Sequence, residues 1–228
     1  MFVNNEYIQR YQAMVLLYYW RIRRKLGHVI KRRGKVILPV EFEQKKIVFF
    51  HIPKAAGKSL ATAVFGKDTN HFSYRQVAKQ LDLDKFYTFA FVRNPWDRMV
   101  STYNFLRKGG WGGLDQIWLQ ANGRHLHSFS DFLLFVQSHP RDMVHFLPQT
   151  HWVCDKNGNI KVDFIGKFEN IQQDYKKLCD HLKITNPLPH MNASPRCKDY
   201  RSYYKNDGNI KIVQLLYEDD IRLFDYHY

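Results

Sequence analysis

The sequence predicts an α/β fold, a parallel sheet flanked by helices, on three observations. Two strand–turn–helix units stand in series, at residues 47–66 and 86–106, and parallel strands joined by crossover helices are the simplest arrangement of that order. Hydrophobic residues make up 45% of the 228 and aromatics 16%, enough for a full-sized core and too many for a disordered chain. At roughly 150 residues per domain, the length fits one large domain with an appendage. The division is set at 1–40, basic and helical, and 41–228, the main domain.

Each element has its own signal. Residues 5–26 place Tyr7, Ile8, Tyr11, Met14, Val15, Leu17, Tyr18 and Ile22 close to helical spacing, and Gly27 is the expected helix end. Ile47-Val48-Phe49-Phe50-His51-Ile52 is an apolar run of the kind a buried strand presents. Pro53 to Ser59 breaks it, and Leu60, Ala61, Ala63, Val64 and Phe65 resume at helical spacing until Gly66. A helix is expected from Tyr74 to Leu81. Phe86 to Val92 is the second buried strand, and Arg93-Asn94-Pro95 turns the chain with Pro95 pre-set for a first helical position. Trp96 to Leu106 completes the second unit. A glycine-rich loop follows, Gly109-Gly110-Trp111-Gly112-Gly113. Further helices are expected over 130–137, 170–182 and 209–217, and a further strand over 162–165.

Charge narrows the partners. The formal net charge is +14, which points to nucleic acid, membrane headgroups, an acidic polymer or a phosphorylated cofactor. Residues 1–35 carry nine Lys and Arg against one acid, leaving 26 bases and 20 acids for the rest. The main domain is only mildly basic. The N-terminal helix either packs on that domain, the preferred reading, or lies on an anionic membrane surface. Cys154, Cys179 and Cys197 form no metal-ligand spacing or disulfide framework, which suits a reducing compartment. The apolar run Ala13 to Trp20 is far shorter than the roughly 20 residues of a spanning helix, and it lacks the flanks of a secretory signal. A cytoplasmic protein is expected, with peripheral contact at the inner membrane surface open to the basic N-terminus.

The two turns carry the chemistry. Residues 52–59 read I-P-K-A-A-G-K-S. Gly57-Lys58-Ser59 match the end of a nucleotide-triphosphate loop, whereas Ile52 stands where that loop has its first glycine. Amides at a helix start still form an anion cradle, and Lys54 and Lys58 add cations. A triphosphate enzyme usually ends the neighbouring strand with a magnesium-binding aspartate. Here the residue is Arg93, which suits a second phosphate and opposes a metal, so no metal site is expected. Ser101 shares roughly the helix face of Asp97 and Arg98. Set against these readings are an ordinary strand–helix turn with solvated lysines and an Arg93–Asp97 salt bridge.

Together, H-I-P-K-A-A-G-K-S (51–59) and F-V-R-N-P-W-D-R-M-V-S (91–101) resemble the carbohydrate sulfotransferases, the group containing heparan-sulfate 2-O-sulfotransferase and bacterial polysaccharide-type relatives. The resemblance extends to D-F-I-G-K-F-E-N (163–170), L-P-H-M-N-A-S (188–194) and D-I-R-L-F-D-Y (220–226), so it covers about residues 45–228. It implies a P-loop-kinase-like sheet and 3′-phosphoadenosine 5′-phosphosulfate as donor, with adenosine 3′,5′-bisphosphate as product. By position, Pro53, Lys54, Ala55, Ala56, Gly57, Lys58 and Ser59 become the 5′-phosphosulfate loop, with Lys54 on the bridging oxygen. Arg93 and Ser101 become the 3′-phosphate site, and Ser194 approaches the cofactor's far side. Lys167 stands where the family pattern suggests arginine, keeping charge but losing bidentate geometry.

Sulfuryl transfer builds negative charge on the departing phosphate, so a lysine on the bridging oxygen stabilises the transition state most. The acceptor hydroxyl must lose a proton, and a neutral imidazole suits that task. His71, opening H-F-S-Y-R-Q-V, is the chosen base because that segment resembles the family's base-bearing one. His51 is read as structural, and His125 and His127 as runners-up. The acceptor, a glycan or glycolipid, is expected to meet residues 105–150, with Arg124, Gln149 and His151 as candidates and Trp111 as lid, sugar platform or plain surface loop. A P-loop-type small-molecule kinase is the enzymatic alternative, needing an acid where Arg93 stands. A basic nucleic-acid-binding module is the other alternative, opposed by the absence of a recognition motif. Oligomeric state is left open.

Overall fold

The computed structural model of the protein describes residues 12–15, 36–189 and 199–228. In chain order, α1 (Val40–Lys45) leads into β1 (Ile47–Phe50), and α2 (Gly57–Phe65) and α3 (Tyr74–Val77) follow. β2 (Tyr87–Val92) runs into α4 (Pro95–Arg107), then α5 (Gly113–Asn122), α6 (Phe129–Ser138) and α7 (Thr150–Val153). β3 (Phe164–Lys167) precedes α8 (Ile171–Leu182), and α9 (Asp207–Leu216) and α10 (Glu218–Phe224) close the fold. The strands form one parallel sheet in the order β1-β2-β3, with Phe50 opposite Ala90 and Val92 opposite Lys167. The α/β expectation therefore holds as a three-stranded parallel sheet with helices.

β1 and nearly all of β2 are buried on both faces, which is why they read as unbroken apolar runs. Phe49 and Phe89 stack across the pair with ring centroids 4.7 Å apart. On the other side of β2, Phe91 faces Gly166 in register, and a Cβ on that glycine would overlap the phenyl ring. The glycine of G-K-F-E-N is thus a steric requirement of the sheet.

Two apolar clusters fill the molecule. One surrounds the sheet and includes Phe42, Phe50, Leu60, Phe89 and Leu178. The other lies among α4, α5, α6 and α9 and includes Met99, Leu106, Trp118, Phe132 and Tyr217. Ala13 is buried in this second cluster, so the helical residues 12–15 pack on the domain. The rest of the predicted 5–26 helix and the basic cluster at 21–35 lie outside the described residues. Among the described residues, no helix is long and apolar enough to cross a membrane.

Several elements differ from expectation, and the short helices α1 and α7 have no counterpart in the sequence reading. The helix expected over 74–81 is only Tyr74–Val77: the Ser73/Gln76 capping box starts it, and Gln80 N–H then bonds back only three residues, to Val77. β3 begins after Asp163, whose carboxylate takes both the Thr88 N–H and its hydroxyl, at 2.8 and 2.7 Å. α5 has no counterpart in the sequence reading, because it starts directly from Gly112-Gly113, residues whose composition signals a loop.

Candidate active site

In a parallel sheet the carboxyl ends of all strands share one edge, where loops converge on ligands. Here β1 runs into residues 51–56, β2 into Arg93-Asn94 and β3 into Phe168–Asn170. The three turns touch. Arg93 Nη1 donates to the Lys54 carbonyl at 3.1 Å, the Arg93 guanidinium lies 3.9 Å above the Phe168 ring, and Asn94 N–H donates to Glu169 at 2.7 Å.

The first turn is strained. Lys54 (φ 70°) and Ala56 (φ 60°) both occupy the left-handed region, costing a non-glycine residue about 1–2 kcal/mol each. Such conformations persist only where their surroundings enforce them. Ala56 is the N-cap of α2, which starts with no side-chain cap and no acid in its first turn. The first amides of a helix lack intrahelical partners and sit at its positive end. With Lys54 and Lys58 beside them, this donor set is chemically suited to a phosphate. Gly57 is obligatory, since a Cβ there would overlap the His51 imidazole.

Both lysines rest on aromatic faces. The Lys54 ammonium is 3.6 Å from the Phe105 centroid, and that of Lys58 is 4.4 Å from the Trp111 centroid. The glycine-rich loop therefore folds against the first turn, although Trp111 remains 65% exposed.

Two histidines flank the turn with their ring centroids 4.2 Å apart. His51 is buried and its Nδ1–H donates to the Thr69 carbonyl at 2.9 Å. Burial chiefly, and then the neighbouring His71, lower its pKa to about 3, against that hydrogen bond. His71 is half-buried, and its Nδ1–H donates to the His51 carbonyl at 2.7 Å. A carbonyl only accepts, so the bond fixes the tautomer and makes Nε2 the basic nitrogen. Burial lowers the His71 pKa more than this bond raises it. Trp152 stands beside the ring at 5.8 Å.

At the second turn Asn94 caps α4, its side chain accepting the Trp96 and Asp97 N–H groups. Arg93 is 5% exposed, with Nε and Nη2 each 2.7 Å from Asp97 Oδ2. The salt bridge that the sequence set against a phosphate role is therefore present, and Arg93 also braces one turn against the other. Gln149 clamps the Arg93 backbone at both ends: its Oε1 accepts the N–H and its Nε2 donates to the carbonyl, each at 2.8 Å. Ser59 and Ser101 are buried beyond their turns, and Ser194 lies outside the described residues.

The acceptor candidates separate. Gln149 is fully buried and holds backbone, so it lines no acceptor surface. Arg124 and His125 line a cavity of about 820 Å³ with Met14, Leu134 and His139, on the α5–α6 side. His151 accepts from Arg75 at 3.3 Å and stands edge-on to Trp152. Sequence reasoning missed Phe105, Asp115 and His145. Phe105 had a readable signal, being four residues beyond Ser101 on one helix face. Asp115 and His145, which meet at 3.2 Å, are 30 residues apart and gave none.

A model of the sulfotransferase family matches residues 40–227, a span that contains the three turns and their supporting elements. No curated protein and no solved structure matches the chain. A cationic, strained phosphate-type turn, joined to an arginine-bearing second turn within that match, makes the assignment plain: the chain belongs to the sulfotransferase family.

Proposed function

We propose that this chain transfers a sulfuryl group from 3′-phosphoadenosine 5′-phosphosulfate to a saccharide hydroxyl, in line and without a metal. One observation carries the reading: the base candidate and the second-turn arginine are both hydrogen-bonded to the same short turn, His71 to the His51 carbonyl and Arg93 to that of Lys54. Proton acceptor, leaving-group cation and second phosphate corner therefore belong to one braced unit.

Within this reading the residues have distinct tasks. The α2 amides, Lys58 and Ser59 hold the 5′-phosphate. The sulfur–oxygen bond to that phosphate breaks as the acceptor oxygen bonds to sulfur, and Lys54 neutralises the charge growing on the departing oxygen. His71 Nε2 receives the acceptor proton. The 3′-phosphate competes with Asp97 for Arg93, helped by Ser101, and Ser194 is assigned to the nucleotide's far side. Trp111, exposed beside Lys58, is assigned to the acceptor path. The acceptor is a glycan or glycolipid. Cysteine usage supports action in the cytoplasm, and the excess charge of residues 1–35 supports peripheral contact at the inner membrane surface.

The test is transfer of radiolabelled sulfate from the donor to a panel of glycans, with calorimetric titration of adenosine 3′,5′-bisphosphate in the presence and absence of magnesium. Tight binding without magnesium and label in a glycan support the proposal. A requirement for magnesium and ATP would instead establish the kinase reading.

A further inference from the structure

Behind the two lysines of the first turn lies a carboxylate–imidazole pair, Asp115 half-buried and His145 buried. Asp115, in the first turn of α5, divides its carboxylate between two partners. Its Oδ2 accepts the Trp111 N–H at 3.2 Å, and its Oδ1 lies 3.2 Å from His145 Nε2. The carboxylate also packs so closely on Gly110 that a Cβ there would overlap it. His145 is buried, and its carbonyl accepts from Arg98 Nη1 at 3.2 Å, tying it to α4. Its ring stands edge-on to Phe105 at 5.1 Å. Phe105 in turn carries Lys54 on its face and meets the edge of Trp111 at 5.8 Å.

The charged and titratable groups acting on His145 are Asp115 from α5, Lys54 from the first turn and Arg98 from α4, and His145 itself acts on His71. Burial above all keeps the His145 imidazole neutral, so Nε2–H donates to the carboxylate. Its other nitrogen, Nδ1, is buried without a hydrogen-bond partner. One pair thus sits at the root of both cation–aromatic contacts. Asp115 fixes the loop that presents Trp111 to Lys58, and His145 backs the ring that presents its face to Lys54. An ammonium held on an aromatic face keeps its charge while losing conformational freedom.

We propose that Asp115 and His145 are positioning residues for donor binding, pinning the Gly109–Gly113 loop so that Trp111 and Phe105 hold Lys58 and Lys54 at the phosphosulfate turn. This rests on the sulfotransferase reading above. The pair does not touch the reacting atoms; it sets where the cations stand before the donor arrives.

Asp115→Asn isolates the effect with little change of shape. The amide oxygen can accept from Trp111, but the amide nitrogen then faces His145 Nε2, and that contact survives only if the imidazole proton moves to Nδ1, which is buried without an acceptor. The full chain is compared with Asp115→Asn and Asp115→Ala by three measurements: thermal midpoint, trypsin cleavage after Lys108 without nucleotide, and calorimetric affinity for adenosine 3′,5′-bisphosphate. We expect faster cleavage in both variants, about tenfold weaker nucleotide binding for Asp115→Ala, and a raised donor KM with a fall in kcat well short of that for Lys54→Ala, since Lys54 is loosened but still present. If Asp115→Ala does not fold, Asp115→Asn decides alone. Wild-type cleavage and wild-type affinity in a folded variant overturn the proposal. Failure of the unmutated protein to bind the nucleotide overturns it too, and is recognisable as a failure of the functional reading, since it precedes any substitution.

Discussion

Acidification from pH 7 to pH 5 places its heaviest demand on His51. Its folded-state pKa is about 3, against about 6.5 in an unfolded chain. The fold therefore favours the neutral ring, and the unfolded state binds more protons wherever the pH lies between those values. Stability from this group is fully present above about pH 6.5 and is lost as the pH falls toward 3. Each pH unit within that window costs about 1.4 kcal/mol. At pH 5, about one and a half units below the unfolded value, the loss is about 2 kcal/mol. That is a large fraction of a typical domain's 5–15 kcal/mol. The assay is urea denaturation followed by circular dichroism at pH 7, 6 and 5, for the wild type and His51→Asn. Asparagine keeps a donor for the Thr69 carbonyl but does not titrate. The variant should start less stable, having lost a buried ring, yet lose about 2 kcal/mol less than wild type between pH 7 and 5. His71 and His145, also held below the usual imidazole range by burial, supply the remaining slope. Equal losses in the two proteins would refute the reasoning, as would a wild type whose stability is flat over that interval.

Other substitutions separate the roles of the site. Lys54→Ala should lower kcat about 10²–10³-fold, the cost of removing one donor from developing charge, with a smaller effect on nucleotide affinity, as single-turnover transfer would reveal. His71→Ala should keep nucleotide affinity in calorimetry while transfer falls about 10²–10⁴-fold; near-normal transfer at neutral pH would remove it as base. Arg93→Ala should both weaken nucleotide binding and destabilise the fold by about 3–5 kcal/mol in denaturant, because it leaves Asp97 as a poorly solvated carboxylate without its arginine; unchanged stability would contradict the brace. Gly166→Ala should cost about 1–3 kcal/mol by forcing β3 away from the Phe91 ring, and a thermal midpoint equal to wild type would count against that packing.

Much of this architecture is legible in the chain because its signals are local. The run Ile47 to Phe50 is apolar on both faces, and Gly57 and Pro95 mark where turns become helices, so both strand–turn–helix units could be placed to within a residue or two. Lys54, Lys58 and Arg93 followed, because a turn between strand and helix leaves few places for its side chains to go. What stayed hidden depends on long-range pairing. Nothing near Gln149 says that its amide will clamp the Arg93 backbone 56 residues earlier, so an exposed acceptor role was assigned to a fully buried side chain. Asp115 and His145 escaped for the same reason, and α5 because glycines that read as loop also begin it. Arg93 shows a different limit. The sequence presented phosphate binding and a salt bridge as alternatives, whereas the geometry makes the ion pair with Asp97 a partner that a phosphate must displace.

The second corner is held from the far end of the chain. Asn94 donates to the His227 carbonyl at 2.8 Å, Tyr226 donates its hydroxyl to Glu169, and buried Asp220 accepts the Gln149 and Thr150 N–H groups at 2.7 and 2.8 Å. During synthesis, residues 93–97 emerge from the ribosome more than a hundred residues before these supports exist. A nascent chain can build the β1–β2 layer early, but the second corner must wait for residues 220–227, so a chain truncated before them should hold a sheet without this corner in place.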